Sequence, residues 1–200
     1  HAKETGKPLP TAPVIFLKAT TSLTGANAPI VLPASAPDEV DYEAELGIVI
    51  GRTARQVSEA DALDYVLGYT CVNDVSARDC QMKLDVQWAR AKSFDTFCPV
   101  GPAIVTADEV PDPNKLAIRS ILNGRTMQNS STADMIFSCR TLVSYLSHQF
   151  TLLPGTLIAT GTPPGVGVAR KSPVFLRPGD TITVEIESVG QLTNPVIKAL

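Results

Sequence analysis

The ten residues DYEAELGIVI, positions 41–50, constrain the fold more than any other stretch of the chain. In an extended strand successive side chains point to opposite faces. Tyr42, Ala44, Leu46, Ile48 and Ile50 therefore line one side, and Glu43, Glu45, Gly47 and Val49 the other. One face is core material; the other carries two carboxylates. At strand rise the Cα atoms of residues i and i+2 lie roughly 6.8 Å apart. Unit charges at that separation repel by about 2–3 kcal/mol at an effective dielectric of about 20. Water, a basic partner or a metal ion has to offset that repulsion.

A third acid narrows the choice. Asp74 ends the run YTCVND, which reads as a strand, and a side chain at a strand end can enter a site built there. Three oxygen donors with no clustered Cys or His suit Mg²⁺, Mn²⁺ or Ca²⁺ rather than zinc. Arg78 and Gln81 follow at i+4 and i+7 from Asp74, as surface groups or as groups facing the same site. Lys92 lies among Trp88, Phe94 and Phe97, so a partly buried ammonium is expected, and such a group needs an anionic neighbour. The loop TGTPPGVG (160–167) contains neither a P-loop nor a dinucleotide signature and reads as a tight turn offering Thr162 and backbone N–H groups to a small anion. His1 and Glu4 stand i, i+3, a spacing that one helical turn would close into an oriented imidazole. At a chain end the same pair also reads as exposed and frayed. His148 falls on the polar side of a helix and is expected at the surface.

Around these residues the pattern is mixed and mainly β. Residues 5–12 and 33–38 read as loops, and PVIFLKATTSL (13–23) as containing a short strand. Ser58 with Asp61 resembles a capping box opening a helix through EADALDYVLG that Gly68 would end. Helical turns are expected in 75–92, and strands in CPVGPAIV and NKLAIRSILNG, with Asn123–Gly124 as a hairpin turn. Ser138 would cap a helix over CRTLVSYLSHQF whose apolar face is Leu142, Val143, Leu146 and Phe150. Pro154–Gly155 and Pro178–Gly179–Asp180 read as turns before strands. In the last of these, Ile182, Val184 and Ile186 alternate with polar residues, as in a sheet with one wet side.

Whole-chain properties exclude several classes. Two hundred residues, 44% hydrophobic and 18% charged, are enough for one domain with a full core. A formal net charge of −3 and no basic stripe argue against nucleic acid. No apolar run approaches the roughly 20 residues of a membrane span. Four dispersed cysteines without a C-x-x-C pair fit free thiols in a reducing compartment, cytoplasm or mitochondrial matrix.

Taken in order, DYEAELGIVIG, GYTCVNDVSARDCQ, RAKSFDTFCPVGP and LIATGTPPGVG resemble the successive signatures of the fumarylacetoacetate hydrolase family. HAKETGKP resembles the start of that family's mobile lid (1–12), and PPGVGVARKSPVFLRPGDTITVEIESVG is similar to the subgroup containing oxaloacetate tautomerases. The resemblance implies a fumarylacetoacetase C-terminal-domain-like β-roll or sandwich with a few short helices, a homodimer, and a Mg²⁺ or Mn²⁺ site. It implies Glu43, Glu45 and Asp74 as metal ligands. Arg78, Gln81 and Lys92 would face the substrate, with Lys92 catalytic, and Thr162 would hold the substrate carboxylate. His1 and Glu4 match the family's water-activating pair. Family members carry a segment before this histidine, so the native chain is expected to continue N-terminal of it. The leading expectation is metal-dependent C–C hydrolysis of a 2,4-dioxo acid of acylpyruvate type. Oxaloacetate tautomerisation or decarboxylation is the first alternative, isomerisation of ring-opened aromatic products another, and a catalytically silent metal-binding module the last.

Overall fold

The computed structural model describes residues 8–84 and 87–199. The first strands are short: β1 (Leu23–Thr24), β2 (Ile30–Leu32) and β3 (Val40–Asp41). They lead into β4 (Ala44–Ile50) and β5 (Val66–Asn73). After β6 (Ser76–Ala77) come a π-helical turn (Cys80–Leu84) and the single-turn helix α1 (Trp88–Ala91). The chain then runs through β7 (Cys98–Thr106), β8 (Ala117–Leu122) and β9 (Arg125–Ser131). Helix α2 (Cys139–Gln149) precedes β10 (Leu157–Ala159), β11 (Thr181–Ile186) and β12 (Gly190–Lys198).

The strands form two five-stranded sheets, ordered β1-β7-β5-β4-β10 and β2-β12-β11-β8-β9, with β3 and β6 as a separate small ladder. Pairing is antiparallel except for β1 on β7 and β2 on β12. Leu46, Ile48 and Ile50 of β4 join Tyr69 and Cys71 of β5, Val184 and Ile186 of β11 and Val143 and Leu146 of α2 in one core cluster. A second cluster gathers Ile30, Val40, Tyr42, Val75, Phe97, Ile182 and Val196. Each fully buried side chain of this size contributes about 1.5–3 kcal/mol of transfer free energy. The fold is mainly β, as the sequence pattern predicts, and of the sandwich type that the family resemblance implies. Among the described residues, no helix is long and apolar enough to cross a membrane.

Several elements follow the sequence closely. Asn123 and Gly124 both take positive φ (50° and 78°) and join β8 to β9 in the hairpin that their identities favour. Ser138 caps α2, its hydroxyl accepting from the Thr141 amide at 3.1 Å. All four cysteines are free and buried, and His148 is exposed.

Other expectations fail. Ser58 and Asp61 make their capping-box contacts, but the helix they open is a single 3-10 turn, Ala62–Tyr65. Gly68 lies inside β5 rather than at a helix end. A Cβ there would come within 2.1 Å of the Val105 carbonyl oxygen, so glycine is what lets β7 approach. The aromatic and β-branched run through 65–72 prefers an extended chain once β4 and β7 flank it. Of the span 13–23, expected to contain a short strand, only Leu23 enters one, as the start of β1; residues 13–19 run as coil, with Val14 and Leu17 exposed, before a 3-10 turn at Thr20–Ser22. Phe150 is 43% exposed, because the chain turns extended immediately after α2.

Candidate functional site

Strand register builds the site. Ala44 pairs with Asn73, so one step further along the ladder Glu43 faces Asp74, and the Asp74 amide donates to the Glu43 carbonyl at 2.9 Å. The Glu43 amide donates to Asn73 Oδ1 at 3.0 Å, which holds the break between β3 and β4. Glu45 lies on the same face as Glu43, as alternation requires. One carboxylate oxygen from each of Glu43, Glu45 and Asp74 lies within 4.8 Å of the others, and all three residues are buried. The two glutamates do not line a wet face.

Cations surround the cluster. Lys92 leaves the end of α1 and spends all three ammonium protons: on Glu43 Oε2 at 2.9 Å, on Ser76 Oγ at 2.8 Å and on Asp74 Oδ2. The Phe16 ring covers the same ammonium, 5.2 Å from its centroid. Lys18 reaches Asp74 Oδ1 at 2.5 Å. Arg78 pairs with Glu43 Oε1 through Nη2 at 2.7 Å, charge against charge rather than as a well-angled hydrogen bond. Its Nη1 donates to Gln81 Oε1 at 2.7 Å, and its Nε to Asp41 Oδ2 at 2.9 Å.

These neighbours divide the acids. Burial pushes Glu43 up, but Lys92 and Arg78 outweigh it and hold the carboxyl at about 2. Among the described residues, Glu45 accepts a hydrogen bond only from the Gly161 amide, at 2.8 Å. Burial, with the charges of Asp74 and Glu43, pushes it up to about 8. Burial works against a charged Lys92, yet Asp74 and Glu43 outweigh it and raise its pKa, so the ammonium keeps its proton. Among the described residues, four buried acids (Asp41, Glu43, Glu45, Asp74) thus meet three cations (Lys18, Arg78, Lys92), and Glu45 carries the deficit. An all-oxygen, charge-deficient cluster of this kind fits a hard divalent cation.

The triad opens into a cleft of about 300 Å³. Gln81, Lys92 and Thr162 line it with the acids; Arg78 does not. Because Arg78 takes the Gln81 carbonyl oxygen, the amide nitrogen is the group Gln81 has left to offer. Thr162 donates its hydroxyl proton to the Ala44 carbonyl at 2.9 Å and accepts from Gln128 Nε2 at 2.7 Å. The loop is thereby pinned to β4, and the Gly161 amide serves Glu45 rather than an external anion. The outer wall is largely apolar, with Val14, Trp88, Met135, Ile136 and Phe137. Phe16 packs edge-on against Trp88, ring centroids 6.0 Å apart, so the 13–19 coil roofs part of the cleft. His1 and Glu4 lie outside the described residues.

Sequence reasoning missed three contributors. In the sequence Asp41 is only the start of a strand and Lys18 part of one, and no pattern singles out Gln128. Each joins the site across a long gap, 37 residues from Asp41 to Arg78, 56 from Lys18 to Asp74 and 34 from Gln128 to Thr162, and no local pattern spans such distances.

Comparison with known proteins agrees with this geometry. The profile of the fumarylacetoacetate (FAA) hydrolase C-terminal domain matches residues 1–197. A mitochondrial oxaloacetate tautomerase of Xenopus laevis is 49% identical over 198 residues, covering 98% of this chain and 62% of its own length. The chain therefore spans about three-fifths of that curated relative. A 5-carboxymethyl-2-hydroxymuconate delta-isomerase from Mycobacterium smegmatis superposes with a TM-score of 0.87 at 48% identity, over 100% of this chain and 75% of that one. A fumarylacetoacetate hydrolase from Exiguobacterium antarcticum gives a TM-score of 0.89 at 44% identity, over 93% of this chain and 66% of its own.

Proposed function

The chain belongs to the fumarylacetoacetate hydrolase family, and from that premise we propose that it is an enzyme catalysing metal-dependent proton transfer on a small 2-oxo acid, with enol–keto tautomerisation of oxaloacetate as the leading case. The observation that carries this reading is the convergence of Glu43, Glu45 and Asp74 at the base of a cleft. These three would hold Mg²⁺ or Mn²⁺. Such an ion, when bound, supplies Lewis-acid stabilisation of negative charge on a carbonyl oxygen. Added to Lys18, Arg78 and Lys92, it would leave one positive charge beyond the four carboxylates, which a substrate carboxylate would balance.

The chain's own residues do the rest. Lys92 is a fixed positive charge beside the triad, placed to favour the anionic form of the substrate as it develops. Holding its proton, it does not act as a base. Gln81 presents its amide nitrogen to the substrate, and Thr162 fixes the loop against which the substrate carboxylate rests. His1 and Glu4, the pair that the family resemblance marks out for proton handling, would move the proton at the substrate carbon. This places the hydrolytic expectation second. Its support is the apolar outer wall, which would accept the acyl tail of an acylpyruvate, with the His1–Glu4 pair activating water.

Two assays run side by side test this. The enol absorbance of oxaloacetate is followed with Mg²⁺, with EDTA and in Glu45→Ala, while pyruvate release is followed from acetylpyruvate. Faster loss of the enol that disappears in EDTA and in the variant supports the tautomerase. Pyruvate release without that acceleration transfers the case to the hydrolase. Neither activity, with a Mg²⁺-dependent rise in Tm, overturns both and leaves a silent metal-binding module.

A further inference from the structure

We propose that Asp41 and Arg78 form a positioning pair for the Glu43 carboxylate, and that Arg78 acts on the site through Glu43 and Gln81 without touching substrate. The inference rests on the metal-centre reading of the triad. Asp41 and Arg78 are 0% and 1% exposed, and neither reaches the cleft wall, which Glu43, Gln81 and Lys92 do. Every nitrogen of the guanidinium is committed: Nε to Asp41, Nη1 to Gln81, Nη2 to Glu43. A planar guanidinium fork with fixed nitrogen directions ties Asp41, Gln81 and the Glu43 charge to one rigid group in a way that a single ammonium does not.

Asp41 in turn is held by main chain. Its Oδ1 accepts from the Tyr42 amide at 2.8 Å and the Gly167 amide at 2.7 Å, and its Oδ2 from the Val168 amide at 3.0 Å as well as from Arg78. All four partners donate, so the cage fits a carboxylate and offers no acceptor for a carboxyl proton. The close approach depends on residue 167 lacking a side chain. A Cβ there would fall 1.9 Å from the Val174 carbonyl oxygen and 2.6 Å from Asp41 Oδ1. A rigid line of contacts therefore runs from the Gly167–Val168 backbone through Asp41 and Arg78 to Glu43 Oε1. Lys92 holds the other oxygen, and each oxygen keeps a lone pair for the cluster centre.

The test is Mn²⁺ binding to substrate-free protein, read from the free-ion EPR signal, for the wild type, Arg78→Lys, Asp41→Asn and the double variant. Arg78→Lys conserves charge and removes the fork; Mn²⁺ affinity is expected to fall about tenfold, as for other groups that orient metal ligands. Asp41→Asn is expected to fall in the same direction, and the double variant no further than the weaker single one. Measured in a Gln81→Ala background, which removes the Gln81 relay, oxalate affinity at saturating Mn²⁺ is expected to be unchanged by Arg78→Lys. Unaltered Mn²⁺ affinity with weakened oxalate binding would overturn the pair and make Arg78 a substrate contact. Absence of Mn²⁺ binding by the wild type would instead overturn the metal centre and this inference with it. If Asp41→Asn fails to fold, Arg78→Lys decides alone, its metal-free melting curve showing that it is native.

Discussion

At the scale of single residues, the site is a set of charges whose protonation is decided by neighbours. Glu45 illustrates it. Its carboxyl is raised from an ordinary 4.5 to about 8 in the fold, so the proton it binds stabilises the metal-free protein fully below about pH 4.5 and progressively less as pH rises through 8. The Tm of metal-free protein is accordingly expected to decline between pH 5 and 8.5, and saturating Mg²⁺ to flatten that decline, since an ion takes the place of the proton. A pH series of melting curves with and without EDTA checks this. Lys92→Met leaves Glu43 and Asp74 buried without their ammonium and is expected to cost about 3–5 kcal/mol in metal-free urea titrations. The thiols behave oppositely to a reactive site. Burial pushes Cys71 and Cys139 up to about 12 and Cys98 to about 11, so a disulfide reagent at pH 8 should label none of the three before unfolding. Much of this was legible in the sequence. Alternation put Glu43 and Glu45 on one face, a strand end offered Asp74, and flanking aromatics marked Lys92. Asp41, Lys18 and Gln128 were not, because an isolated polar residue in an extended run looks the same whether it meets solvent or a partner dozens of residues away.

Among the elements, the β4–β5 ladder matters most. Its register brings residue 43 opposite residue 74, and a slip of one position would send the Asp74 side chain to the other face of the sheet. The sequence showed both strands but not their register, which depends on long-range pairing. The same blindness explains the helix expected at 59–68: the capping box at Ser58 and Asp61 is visible locally, whereas the two strands that claim Val66–Asn73 are not. Where no distant strand competes, a local signal suffices. Ser138 caps α2 as its position implies, and Ser138→Ala is expected to cost about 1 kcal/mol, lowering Tm by about 2–4 °C in a chain of this size. Thermal melts of the two proteins measure it directly.

For the whole molecule, two sheets and their cores hold a charged cavity that a hydrophobic interior would otherwise exclude, and ligand occupancy should therefore register in global stability. Mg²⁺ at one hundred times its Kd is expected to add about 2.7 kcal/mol, an increment that EDTA reverses and Glu45→Ala abolishes, read by thermal shift. The expected homodimer is checked by sedimentation, which should give about twice the 21.2 kDa of the chain. Proteins activate ketones in two general ways, by condensation with a lysine amine or by an electrophilic cation, and a buried lysine near a 2-oxo acid invites the first reading. Here the nitrogen of Lys92 has no lone pair to give: its three hydrogens are engaged by Glu43, Asp74 and Ser76, and two carboxylates hold it in the acid form. Borohydride added with pyruvate should therefore leave the intact mass unchanged, because no imine forms there to be reduced.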